Sequence, residues 1–460
     1  MKSLKLSFVF CISLFSVFIF NLSNSISATC GDGICEPKEA CFSCPQDCQD
    51  PNVVCCKADS PKNGRCSNFD CKRDKNCSNS RAQLIRSGRK PKWGVAKNLI
   101  AFDDYVNKKG NSLGCNIYPL FCNFEVLTMK PDGTDSKCLT CNKKSLPKGH
   151  KGQPFWHPSG DYITFTAENS NYKRFKDGLD LTVVPSISGR NNNVWIMDSG
   201  GLRFLQITDV KEGSGCIRPS FSPDGKTLYW NEEYSLEKYT APPPWSVQRN
   251  PKKEEWGLWR IVLADVSFID GEPKITNIRK ININELYPGK VLIEGQGIQP
   301  DNNTLIFVAA DVNETAACCR WGYPPEEVFG YAHWSDIYTT DLNGKNLKRL
   351  TFSTYNHTEN PDYSPDGRKI AFSETKWCVG KNAEVFVMNS DGSNRIQETS
   401  FFNPNCSDYI GRYGGAGDEL DWSPDSKKII FSSVNGVKKT YPNLEENIFI
   451  IEVEDKVYDK

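Results

Sequence analysis

The chain has 460 residues, and its 56 Lys and Arg balance 56 Asp and Glu, so no global field recruits nucleic acid and that class of partner is excluded. Twenty cysteines are odd for a reducing cytosol and ordinary outside it, which points to export and disulfide bonding.

Met1–Lys5 carries two lysines, Leu6–Phe20 is an uncharged apolar run, and small polar residues lead to Ala28. This pattern predicts a signal peptide over 1–28, cleaved after Ser25, Ser27 or Ala28, and too short for a comfortable bilayer span. The mature chain is expected to be secreted, extracellular or periplasmic, with no stable membrane insertion. Losing Cys11 with the leader leaves nineteen of the twenty cysteines, so one thiol at least is free, lipidated or paired between chains.

Residues 29–77 read as a separate disulfide-rich module. Ten cysteines (30, 35, 41, 44, 48, 55, 56, 66, 71 and 77) crowd it, and few large apolar side chains remain to build a core, so disulfides must hold it together. Its first half, CGDGICEPKEACFSCPQDC (30–48), resembles the short C-G-D-G-x-C modules of secreted multidomain proteins. Asp32, Glu36, Glu39, Asp47 and Asp50 gather there; they suit an oxygen-lined calcium site, the one cofactor the chain suggests, or are plain solvated acids.

Residues 78–92 are basic and weakly apolar. They read either as a linker or, through Ala82–Arg86, as a strand that closes the domain after it, because the final segment 446–460 lacks a full fourth strand.

From 93 to 460 one pattern recurs. FSPDGKTLYW (221–230) returns as YSPDGRKIAF (363–372), WSPDSKKIIF (422–431) and WHPSGDYITF (156–165), and more loosely as WGVAKNLIAF (93–102) and IQPDNNTLIF (298–307). The opening residues Trp93, Trp156, Phe221, Ile298, Tyr363 and Trp422 are 63, 65, 77, 65 and 59 positions apart, the period of a repeat architecture. Pro and Gly set a tight turn, so each copy reads as strand, turn and strand. A second hairpin follows in 124–140, 193–208, 336–351 and 384–399, commonly ending near Leu-Thr. Four antiparallel strands in each of six units predict an all-β fold, a six-bladed β-propeller.

The paired hairpins resemble the TolB-like branch of β-propellers, whose repeat runs roughly P-x-W-S-P-D-G-x-x-I-A-F, then I-Y-x-M-D-x-D-G, then L-T. The resemblance covers about 93–455 and implies the fold; it is nearly silent on function, since propellers host binders, scaffolds and enzymes alike.

In a propeller the turns within both hairpins lie on one face, and the connections between hairpins and between blades lie on the other. The first set is short here. The second holds the long insertions 103–123, 166–192, 231–256 and 308–335, together with Cys115, Cys122, Cys216, Cys318, Cys319, Cys378 and Cys406, with Cys138 and Cys141 at its border. Disulfides are therefore expected to staple this loop-bearing face.

Aromatic residues crowd the same insertions. Trp245, Trp321, Tyr323 and Trp334 suit stacking on a sugar or gripping a peptide, unless they pack on one another beneath the loops. Polar residues three before each opening residue should ring the channel mouth: Lys90, Gln153, Arg218, Asn360 and Glu419, with Gly295 in the fourth copy. The candidate binding set is Trp245, Trp321, Tyr323, Trp334, Arg218, His357, Asn360 and Glu419.

Catalytic machinery is hard to find. The propeller leaves no room for the serine-hydrolase domain that some propeller peptidases carry. His150, His333 and His357 share the loop-bearing face with Glu232, Glu233, Glu359 and Glu419, which offer acid-base pairs or metal ligands. We therefore read the chain as a secreted protein that binds an extracellular glycan or protein. The rival is an extracellular polysaccharide-acting enzyme, a metal-assisted lyase or a carboxylate-pair hydrolase.

Overall fold

The computed structural model describes residues 82–107, 122–169, 189, 191–211, 214–233, 259–281, 283–286, 290–311, 335–352, 356–376, 383–403, 406, 409, 413–436 and 445–453. The predicted leader, the predicted disulfide module with its candidate calcium ligands, and the vicinal pair Cys318 and Cys319 lie outside these residues.

The described residues build six four-stranded antiparallel sheets. Blade 1 comprises β2 (Arg89–Gly94), β3 (Leu99–Asn107), β4 (Cys122–Met129) and β5 (Lys137–Cys138). Blade 2 comprises β6 (Lys151–Trp156), β7 (Tyr162–Glu168), β8 (Asn192–Asp198) and β9 (Phe204–Gln206). Blade 3 comprises β10 (Cys216–Phe221), β11 (Thr227–Glu233), β12 (Trp259–Ile269) and β13 (Glu272–Ile281). Blade 4 comprises β14 (Lys290–Ile298), β15 (Thr304–Asp311), β16 (Asp336–Asp341) and β17 (Lys348–Arg349). Blade 5 comprises β18 (Asn356–Tyr363), β19 (Lys369–Lys376), β20 (Glu384–Asn389) and β21 (Ile396–Gln397). Blade 6 comprises β22 (Tyr413–Trp422), β23 (Lys428–Gly436) and β24 (Glu445–Glu452), with β1 (Gln83–Ser87) as its fourth strand.

Blade 6 thus takes its outer strand from the N-terminal side of the domain. Gln83 pairs with Ile450, Leu84 with Phe449, Arg86 with Ile448 and Ser87 with Asn447. The sheet begins ten residues before Trp93, and the linker alternative for 78–92 gives way to ring closure. Only Gly88 separates β1 from β2; its φ is 145°, and a Cβ there would stand 2.8 Å from Phe102 and 2.9 Å from Ile448. A side chain at this point would wedge apart the seam between blades 6 and 1.

The repeat folds as it does because of its turn. Ser222 Oγ donates to Asp224 Oδ1 at 2.6 Å, the same oxygen accepts the Lys226 N–H at 3.0 Å, and Gly225 takes φ 72°. Ser364 with Asp366 and Ser423 with Asp425 repeat the 2.6 Å bond. The last copy holds Ser426 at φ 59°, where three copies have glycine, and the left-handed turn residues of the two loose ones are Asn98 and Asn302. Neighbouring turns also lock together: His157 Nε2 lies 3.1 Å from Gly225 O, the Asp224 N–H donates to Asn302 Oδ1 at 2.9 Å, and the Asp366 N–H to Ser426 Oγ at 3.2 Å.

The Leu-Thr ending has its own mechanism. Thr140, Thr208, Thr351 and Thr399 each accept a third-strand N–H at 2.9 Å, from Val126, Val194, Ile337 and Val385. Each hydroxyl then donates to the residue before that N–H: Glu125, Asn193, Asp336 and Glu384. The threonine therefore pins the outer strand to a polar residue in the first half of the third strand.

Hydrophobic clusters fill the seams between consecutive blades. Trp422 packs with Val385, Val387 and Phe401 of the preceding unit, and Trp93 packs with Ile430, Ile448 and Ile450 across the closing seam. Alternate residues of one strand serve different seams: Leu228 and Trp230 face blade 2, and Tyr229 faces blade 4. Strands buried on both sides explain the near-continuous apolar runs of the repeat.

Cys138 and Cys141 form a disulfide at the edge of the loop-bearing face, and Cys406 is also disulfide-bonded. Cys216 departs from the expected stapling. It is a free, fully buried thiol at the start of β10, 3.8 Å from Thr208 Oγ1, because β10 draws it into the seam cluster with Val194 and Phe221.

Candidate functional site: the channel and its mouth

The innermost strand of each blade carries a bulge. Lys90, Gln153, Arg218, Asn360 and Glu419 take φ values of 49°, 55°, 50°, 55° and 59°, and the strand register slips around each of them. In four of the five, proline follows, at 91, 154, 219 and 361; it has no N–H, so interrupting the ladder there orphans no donor. A left-handed residue other than glycine costs about 1–2 kcal/mol. The compensation is that the bulge turns a long polar side chain into the channel.

These side chains converge as the three-residue offset predicts. Arg218, from blade 3, is the hub. Its N–H donates to Gln153 Oε1 of blade 2 at 2.8 Å, and its guanidinium reaches Gln296 Oε1 of blade 4 at 2.8 Å and Glu419 Oε1 of blade 6 at 2.8 Å. It also bonds Glu294 of blade 4 and Asn360 of blade 5. Lys90, from blade 1, reaches Glu419 Oε1 at 3.0 Å, so one network joins all six blades.

Gly295 of the fourth copy has no side chain to contribute. Its neighbours Glu294 and Gln296 do so instead, because β14 carries two register slips and the second straddles Gln296. A strict offset of three could not have found them.

A second tier lies one residue before the opening aromatic. Lys92 Nζ donates to Leu420 O at 2.6 Å and lies 3.8 Å from Asp362, while Asp421 accepts the Trp93 N–H. Burial, with Asp421 alongside and Lys92 opposing, raises the Asp362 carboxyl well above its usual range, and the two carboxyls share a hydrogen bond. Burial would also raise Glu419, yet Arg218, Lys90 and Lys92 hold it down at about 2. Glu294 is shifted up by burial and by Glu359 and Glu419, against the pull of Arg218.

His357 stands at the edge of this network rather than in it. Its Nδ1 lies 2.8 Å from Ser335 Oγ, whose own proton goes to Thr358 O at 2.7 Å, and its Nε2 lies 2.5 Å from Glu359 Oε1. The ring is thus held between the Ser335 hydroxyl and the Glu359 carboxylate. This is the one candidate acid-base pair brought together among the described residues. Glu232 is held instead by Arg260 and Lys280, and the His150 ring accepts the Phe124 N–H at 3.0 Å. Among the described residues no group of three or more His, Cys, Asp or Glu is placed to hold a metal.

Trp245 falls in the connection between β11 and β12, and Trp321, Tyr323 and Trp334 in the connection between β15 and β16; all four lie outside the described residues. So do Gly110, Ser112 and Gly114, which match a G-x-S-x-G pattern in the connection between β3 and β4.

Similar folds occur among solved structures. TolB from Acinetobacter baumannii is 17% identical with a TM-score of 0.43, covering 78% of this chain and 65% of its own. TolB from Agrobacterium tumefaciens is 13% identical with a TM-score of 0.42, covering 81% and 91%. Oligogalacturonate lyase from Vibrio parahaemolyticus is 10% identical with a TM-score of 0.43, covering 84% and 99%. The chain is a six-bladed β-propeller. That conclusion stands on the strand pairings, and the likeness to TolB is one of fold alone. No protein-family model matches the chain. No curated protein matches it in sequence. Among the described residues no helix is long and apolar enough to cross a membrane.

Proposed function

We propose that this chain is an exported binding protein that takes an extracellular glycan or protein on the loop-bearing face of its propeller. The observation that carries the reading is the asymmetry of the two faces. The connections 108–121, 169–191, 234–258 and 312–335 all leave the same face, whereas the opposite face consists of short turns bonded to one another. Long loops on a rigid scaffold are where recognition concentrates. Trp245, Trp321, Tyr323 and Trp334 would supply stacking surface, with His357 and the part-exposed Glu359 at the rim. Arg218, Asn360 and Glu419 bond chiefly to each other, so they act as a rigid charged floor under the partner. Export rests on the leader and the cysteines; the acids of 30–50 would take calcium in the same compartment.

A second reading has one observation in its favour. The His357 and Glu359 pair lies on the same face, where it could serve acid-base chemistry on a polysaccharide.

Screening the secreted protein on glycan and peptide arrays, with and without chelator, tests both readings. The proposal expects retention without turnover, and expects Trp321→Ala or Trp334→Ala to weaken binding at least tenfold with little change in Tm, since a buried aromatic anchor commonly contributes about 2 kcal/mol. Product release from a bound glycan, abolished by His357→Ala, would favour the enzyme instead.

A further inference from the structure

Inside the network lies a cavity of about 20 Å³, walled by Lys90, Lys92, Arg218, Glu419, Gln296 and Tyr229, with Gln153, Pro154 and Phe155 of blade 2 and Pro219 and Ser220 of blade 3 completing it. Three cations and one carboxylate face it. Glu294 and Asp362, which offset this charge, stand outside its wall.

Gln296 is the informative residue. Its Oε1 must face Arg218 at 2.8 Å, and because a guanidinium can only donate, this fixes which end of the amide is which. The residue is 8% exposed, and Nε2 finds no acceptor among the described residues. Buried N–H groups are almost always satisfied. Lys92 adds donor capacity: its ammonium carries three protons, while Leu420 O takes one at 2.6 Å and Asp362, at 3.8 Å, is beyond hydrogen-bond reach.

Gln296 Nε2 and the Lys92 ammonium therefore hold unspent protons for something that accepts, beside an excess of cations in the wall. Its volume admits one particle a little larger than water. We propose that the channel binds a single small monovalent anion, of halide size, through Gln296 Nε2 and the Lys92 ammonium, with Lys90 and Arg218 as flanking charge. Bound there, the anion would tie blades 1, 3 and 4 to the same point, and ring stability would follow its concentration by mass action.

The test is thermal unfolding of the full secreted chain, with chloride titrated against gluconate at constant ionic strength, beside crystals grown in bromide. The proposal expects a saturable rise of Tm with chloride, an anomalous bromide peak between Gln296 and Lys92, and loss of the chloride response in Gln296→Met. Identical Tm curves in the two salts with no bromide peak would overturn it and leave an ordered water as the occupant. The titration and the bromide peak use the unaltered chain, so they decide the matter even if the variant fails to fold.

Discussion

Arg218 and Glu419 meet at 2.8 Å in the centre of the propeller, and Lys90 holds the same carboxylate oxygen at 3.0 Å. Glu419 is 5% exposed and its pKa is held at about 2. A folded-state value below the unfolded one gives stability that is present above about pH 5 and lost as pH falls toward 2. At roughly 1.36 kcal/mol per unit, the effect is about 3 kcal/mol. Glu419→Gln should therefore be destabilised at pH 7, the more so because two buried cations lose their partner, and its deficit should shrink as pH approaches 2. Urea unfolding of both proteins from pH 7 to pH 2 checks this; a deficit that stays constant with pH would show the carboxylate charge to be unimportant.

Asp104 has the opposite sign. Burial raises it to about 6, with Arg86 at 3.6 Å only partly opposing. An acid raised on folding destabilises once it must ionise, so the cost grows as pH climbs from about 4 through 6. Asp104→Asn should raise Tm above pH 6 and leave it unchanged near pH 4, as differential scanning calorimetry across that range would show.

Gly88→Val tests the closing seam. The new side chain meets Phe102 and Ile448 within 3 Å at a φ of 145°, and overpacking of this kind costs about 1–3 kcal/mol before backbone strain is added. Removing β1 by truncation to residue 88 should be worse, exposing the β24 edge and promoting association. Denaturation midpoints and sedimentation of the two variants supply the check; a wild-type midpoint for Gly88→Val would contradict the seam geometry.

Thr399→Val leaves the Val385 N–H and the Glu384 carboxylate without their shared hydroxyl, and should cost about 1–3 kcal/mol in an unfolding titration. Thr399→Ser should recover most of the loss. Equal damage from both would mean that the methyl group, not the hydroxyl, matters.

The blades are legible in the sequence because the distinctive residues of each copy act locally. Ser222 and Asp224 bond to each other across the turn, and Phe221 buries in a seam. The channel ring is legible at Lys90, Arg218 and Glu419 through their constant offset. What escapes is what a local pattern cannot encode. Lys, Gln, Arg and Glu carry no left-handed signature, so the bulges are invisible, and with them the entry of Gln296 beside Gly295. The outer hairpin of blade 3 does carry a signal: Asp270-Gly271, at φ 51° and 76°, is a two-residue hairpin turn between alternating strands. Cys216 misleads because its position suggests a loop staple, whereas strand pairing with Glu232 takes it inside.

The most direct measurement of the central claim is hydrogen exchange of the propeller with and without the partner recovered from the arrays. Docking on the loop-bearing face predicts slowed exchange in 108–121, 234–258 and 312–335 and unchanged exchange in the turns around Asp224, Asp366 and Asp425. Protection of those turns, with the loops unaffected, would place the partner on the opposite face and contradict the account.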